Sequence, residues 1–245
     1  MKRSAQLFVL LFISFPVFIS CNISNQKIIY GNHQLVNQQI DIENYDKVVL
    51  KIPAEVFYQQ FSDSAPYLQI HTDENIFKSL NVRIENHQLI LDVKKDSIIR
   101  PSKLTIYTSS HNLNQVTVTG SGDIRLKGEV NAVDFKVDVI GSGIFLSDSL
   151  LCNNITARIT GSGKMQLTGA SNHSLFSING SGNIHAFDYF VQELNCRIIG
   201  SGNIEALVMN QLEANLTGSG YLFYRGDPQS VDKKIIGSGK VQQVK

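Results

Sequence analysis

The tripeptide Gly-Ser-Gly recurs from Gly120, Gly141, Gly161, Gly180, Gly200, Gly218 and Gly237, at intervals of 21, 20, 19, 20, 18 and 19 residues. A period near twenty is too short for separate domains and means one supersecondary unit stacked on copies of itself. The flanks say which unit. Two residues before each first glycine stand Val118, Val139, Ile159, Ile178, Ile198, Leu216 and Ile235; four before it stand Val116, Val137, Ala157, Phe176, Cys196, Ala214 and Lys233. Between these rows runs a polar one: Thr117, Asp138, Arg158, Ser177, Arg197, Asn215 and Lys234. Such alternation is the period-two pattern of a strand with one buried face. Two residues past each second glycine the apolar row resumes with Ile124, Phe145, Met165, Ile184, Ile204, Leu222 and Val241. Each repeat therefore predicts strand, glycine corner, strand and a looser return loop.

One such coil cannot bury its apolar face alone. Stacked coils pair their strands in parallel and set like residues above like, which predicts an all-β fold, a β-solenoid. Glycine suits the corner because it accepts positive φ and lets the next coil approach closely. The serine between is small enough to stack.

The chain divides into four stretches. Residues 1–21 read as a secretory signal: Lys2 and Arg3 precede a short apolar run, Leu7 to Ile19, that is too brief for a stable span. Phe18-Ile19-Ser20-Cys21 resembles the lipobox of bacterial lipoproteins, which implies lipid attachment at Cys21 and a membrane as partner; Asn22 after it resembles their outer-membrane sorting signal. Residues 22–39, rich in Asn and Gln, read as a polar tether. From 40 to 114 short β-branched and aromatic runs continue without the glycine punctuation, with Asn86-His87 as a hairpin turn and one or two helical turns between Asp73 and Leu80. This stretch is either the irregular first coils of the solenoid, serving as its cap, or a small sheet packed on its end; the first is preferred because an uncapped solenoid exposes an apolar end. Residues 115–245 hold the regular repeats.

Tyr45-Asp46-Lys47-Val48-Val49, then Leu104-Thr105-Ile106-Tyr107, then the repeated corners resemble the family described as putative auto-transporter adhesin, head GIN domain, over residues 37–245. The resemblance implies a right-handed β-helix-like fold in the cell envelope and transfers no catalytic residue.

At 42% hydrophobic, 18% charged and a net charge of +1, the composition does not favour nucleic acid as a partner. The six histidines show no zinc-binding spacing, so no metal and no cofactor is expected. A phosphate loop places its glycines at a helix N-terminus, whereas every corner here leads into a strand. Cys152 and Cys196 lie two coils apart, about 9.6 Å at the usual strand spacing, which is too far for a disulfide; both read as buried small hydrophobes. Arg225-Gly226-Asp227 spells a tripeptide that host receptors recognise, but Gly226 falls at the same offset as Gly128 and Gly169 and reads as a recurrent turn. Asp63-Ser64-Ala65, Asp96-Ser97-Ile98 and Asp148-Ser149-Leu150 resemble the Asp-Ser/Thr-apolar acceptor of an O-glycosylation system in some diderm bacteria, which implies Ser64, Ser97 and Ser149 as candidate sites.

The surface candidates are Arg158 and Arg197 in the outward row, cations able to meet the acid of a glycan; a solvated mixed-charge face is the plainer reading. The sequence thus points to a non-catalytic outer-membrane lipoprotein, facing periplasm or medium, that binds a glycan or envelope protein. A scaffold pairing through the last coil near Lys240 to Lys245 is the alternative, and a glycan-active enzyme a third.

Overall fold

The computed structural model describes residues 27–61 and 63–245. The signal segment and Cys21 lie outside the described residues. The described residues form a β-solenoid of about six turns. Every first corner glycine pairs with the next: Gly120 with Gly141, Gly161, Gly180, Gly200, Gly218 and finally Gly237. The apolar rows stack in the same register and form one continuous core along the axis.

The corner needs both glycines, for different reasons. Gly180 holds φ +132°, and a Cβ on it would meet the Gly161 carbonyl oxygen at 2.4 Å. Gly182 has ordinary φ, but its Cβ would stand 2.6 Å from both the Gly163 oxygen and a methyl of Ile159. Close approach keeps the ladder running round the bend, with Ser181 N to Gly161 O at 2.9 Å and Asn183 N to Gly163 O at 3.0 Å.

The return segment is not a loose loop but a third paired side. Val130 stacks on Leu150, and Ala132 on Cys152, Ser171, Val191 and Val208. Unequal repeat lengths are absorbed there. Register shifts fall between Leu126 and Glu129, Leu146 and Leu150, Gln166 and Thr168, and on both sides of the Phe190–Val191 pair, so the rows beside the corner stay aligned. Fully buried side chains alternate in size to fit: Phe176 lies in its row between Ala157 and Cys196.

Both readings of residues 40–114 describe part of what is there. Lys47–Leu50 and Glu55–Gln60 form a coil directly on the first regular one, and Gln88–Val93 and Leu104–Ser110 form the next, so stacking order departs from chain order. Antiparallel strands then close this end: Leu80–Glu85 on Gln88–Val93 through the Asn86-His87 turn, where both φ are positive, and Tyr67–Asp73 on Leu104–Ser110. Glu74–Phe77 is a single helical turn that buries Ile76.

The polar tether is corrected from Lys27 onward. Lys27–Tyr30 pairs parallel with Ser97–Arg100, and Leu35–Asp41 pairs antiparallel with Tyr67–Asp73. An outermost strand is held by backbone hydrogen bonds and buries little side chain, so an Asn- and Gln-rich sequence can form one. At the other end Ser230–Gly237 is exposed throughout, and nothing among the described residues covers the last coil.

Candidate functional site

Residues before each corner lie on one parallel sheet, and those facing outward fall into neighbouring rows. Three rows back from the corner, Asp138, Arg158, Ser177, Arg197, Asn215 and Lys234 are direct register partners in successive coils. The fold therefore sets Arg158, Arg197 and Lys234 in single file on alternate coils, about 9.6 Å apart along the axis, with a short polar side chain between each pair. They line one open groove of about 520 Å³ together with Leu175, Asn195, Thr217 and Ile236 from the rows on either side.

The three groove cations have no carboxylate within ion-pair distance among the described residues. Two of the nearby acids are held otherwise, while Asp232, two residues before Lys234 on the same strand, is exposed and forms no ion pair among the described residues. Glu213 accepts from Asn195 Nδ2 and Asn215 Nδ2, both at 2.9 Å, and Asp138 is paired with Lys136 at 2.9 Å. No carboxylate lines the groove among the described residues. Arg158, Arg197 and Lys234 are exposed, so their charges are screened by water until a ligand covers them.

The structure thus brings Arg158 and Arg197 into one groove. Sequence reading did not single out Lys234, nor the flanking Asn195 and Thr217. The signal was present: a strand that faces outward at the third position before the corner does so at the first and fifth as well.

The other candidates are dispersed. Ser64 is exposed in the turn after Gln60; Ser97 is half-buried at the start of Ser97–Arg100; Ser149 is half-buried and paired with Glu129. Asp148 beside it is drawn to Lys127 at 2.9 Å and Arg125 at 3.7 Å. Burial alone would raise its carboxyl, but the hydrogen bond from Lys127 and the two cations hold it below the usual range. Gly226 has φ +93°, as befits a turn, and the Arg225 guanidinium lies 4.2 Å from the centre of the Phe187 ring.

The two cysteines among the described residues, Cys152 and Cys196, are free thiols. Cys196 is fully buried as expected, whereas Cys152 is only half-buried, its Sγ 3.3 Å from the Tyr189 hydroxyl. It sits in the return side, where side chains alternate less strictly. Burial pushes both thiols up. His173 and His185 face Glu193 and Glu205 at 3.1 and 2.8 Å. Among the described residues no group of three or more His, Cys, Asp or Glu is placed to hold a metal ion, and no helix is long and apolar enough to cross a membrane.

With this geometry in hand, residues 44–228 match the family model described as putative auto-transporter adhesin, head GIN domain. The chain belongs to that family. Several solved structures share its fold. A putative lipid binding protein from Parabacteroides distasonis is 29% identical over 89% of this chain and all of its own, with a TM-score of 0.75. A putative adhesin from Parabacteroides merdae is 26% identical with the same coverage and a TM-score of 0.74. One from Bacteroides fragilis, at 21% identity over 88% of this chain and all of its own, shares the fold with a TM-score of 0.82. No curated protein matches the chain. Family and neighbours suggest an adhesin-like or binding protein of the cell envelope or surface.

Proposed function

We propose that this head GIN domain protein is a non-catalytic, adhesin-like binding module, attached to the outer membrane through a lipid on Cys21, that captures an anionic envelope or glycan partner in the groove before the glycine corners. The observation that carries this reading is the file of three unpaired cations, Arg158, Arg197 and Lys234, held in one groove by three alternate coils. A rigid parallel sheet fixes their spacing before any ligand arrives, which lowers the ordering cost of binding. Acid–base hydrolysis of a sugar needs two converging carboxylates, and the groove's described lining supplies amides, hydroxyls and cations instead.

The test is binding of the purified protein to an array of glycans and envelope proteins, beside the Arg158→Ala/Arg197→Ala variant. Binding lost in the variant supports the groove; equal binding by both sinks it. Metabolic labelling with a fatty acid, lost on Cys21→Ser, tests the anchor.

The open last coil favours a second reading, a scaffold role by strand pairing at the edge near Lys240 to Lys245 and at Ser230–Gly237 before it. Lys233 stands against it. It occupies the otherwise apolar row continued from Ala214, and a charge there blunts an edge.

A further inference from the structure

We infer that the groove reads a linear acidic polysaccharide bearing one carboxylate on every second sugar, laid along the solenoid axis. This rests on the binding function proposed above and names its ligand class. The cations succeed one another in the stacking direction, from Arg158 through Arg197 to Lys234, rather than along any one strand. A ligand that meets all three must therefore run across the strands. An extended β-linked hexose chain advances by close to one strand spacing per sugar, so each coil faces one sugar and each cation faces every second one. The intervening coils present Ser177 and Asn215, short polar groups suited to hydroxyls.

Neighbouring side chains sharpen the period. In the row toward the corner Thr217 and Ile236 carry no charge, and in the row away from it Leu175 and Asn195 carry none and Glu213 is negative. Positive charge is thus one file wide. A flat anionic surface such as a lipid bilayer would be met better by charge spread over the whole sheet. Two of the three cations are guanidinium groups, whose planar fork matches a carboxylate with two parallel hydrogen bonds. The Oδ1 atoms of Asn195 and Asn215 take no hydrogen bond among the described residues, because Glu213 engages only their amide nitrogens.

The experiment measures affinity of the full-length protein at low and at physiological salt for four probes. Hyaluronan has a carboxylate on alternate sugars, β-1,4-linked polymannuronate on every sugar, β-1,4-linked cello-oligosaccharides on none, and phosphatidylglycerol vesicles present an anionic bilayer. Hyaluronan should bind, polymannuronate no tighter despite its denser charge, and the cello-oligosaccharides not at all. Arg197→Ala should weaken hyaluronan roughly tenfold, the scale of one well-placed charge pair. The deciding variant exchanges neighbours, Ser177→Arg with Arg197→Ser, which keeps net charge and moves the middle cation by one coil. It should lose as much affinity as Arg197→Ala, with an unchanged melting temperature showing the fold intact.

Wild-type affinity in the exchanged variant, or affinity that simply follows charge density, overturns the alternating register while leaving the groove as an anion site. Vesicle binding that Arg197→Ala weakens, without hyaluronan binding, replaces the polysaccharide by a membrane and overturns the inference, whereas vesicle binding that Arg197→Ala leaves unchanged belongs to the lipid on Cys21. Failure of every anion, with the arginine variants indistinguishable from wild type, overturns the groove itself.

Discussion

Ser102 donates both its amide and its hydroxyl to the carboxylate of Asp73, at 2.8 and 2.6 Å, while His33 donates its amide from the other side at 2.8 Å. Gly31 leaves the room for this clip, since a Cβ there would lie 2.3 Å from Asp73 Oδ2. One buried carboxylate therefore ties the first strands to the cap that closes the solenoid.

Acid should loosen this end first. Burial alone would raise the Asp73 carboxyl, but hydrogen bonds from Ser102, His33 and Lys103 outweigh it and hold the group below its ordinary 3.8. A carboxyl depressed in the folded state stabilises above its unfolded value and loses that contribution as pH falls through the folded one. Asp73→Ala should cost about 1–3 kcal/mol at pH 7, the penalty for buried donors left unpaired. It should also flatten the fall in urea midpoint below pH 4 relative to wild type. An unchanged midpoint at pH 7 would refute the clip.

Gly180 and Ser181 of one corner should respond very unequally. Gly180→Ala places a methyl against the Gly161 carbonyl at 2.4 Å and forces positive φ on alanine, so it should destabilise by more than about 2 kcal/mol. Ser181 between the glycines is exposed, and Ser181→Ala should stay within about 0.5 kcal/mol. Chemical denaturation of the two variants decides it; comparable losses would mean that the serine contributes as much as the glycines.

Much of this was legible in the residues beside the corner. Val118 to Ile235 and Ile124 to Val241 keep a constant distance from Gly-Ser-Gly, and that constancy survives folding because every insertion falls in the return side. What did not show was pairing between distant segments. Nothing local in Leu35–Asp41 announces Tyr67–Asp73 as its partner, and nothing in Lys47–Leu50 says that it lies between Gln115–Gly120 and Gln88–Val93. Such contacts are chosen by which end needs covering, which is a property of the whole stack. The groove was half-legible for the same reason: Arg158 and Arg197 share an obvious row, but its walls come from the rows beside it.

Core size complementarity gives a third expectation. Phe176 is fully buried between the smaller Ala157 and Cys196 of its row, so Phe176→Ala should cost about 3–5 kcal/mol through lost burial and a cavity that short neighbours cannot fill. Ile235, in the row two before the corner but on the open last coil, is 38% exposed. Ile235→Ala should cost about 1 kcal/mol or less by the lost burial of a partly exposed side chain. Near-equal losses in denaturant midpoint would mean that the last coil is covered in solution.

The two thiols separate the return side from the interior. Cys196 is fully buried with its thiol pushed far up, so alkylation there must wait for unfolding. Cys152 is half-buried, and burial raises its thiol despite the opposing hydrogen bond with Tyr189. At pH 8 a maleimide should therefore label Cys152 slowly, and Cys196 only in denaturant. Tyr189→Phe removes the hydroxyl that lowers the Cys152 thiol and should slow its labelling further while leaving Cys196 silent. Peptide mapping of the labelled protein reads both. Labelling of Cys196 at the rate of Cys152 under native conditions would show that the coils between Ala157 and Ala214 open locally, which a continuous buried core does not permit.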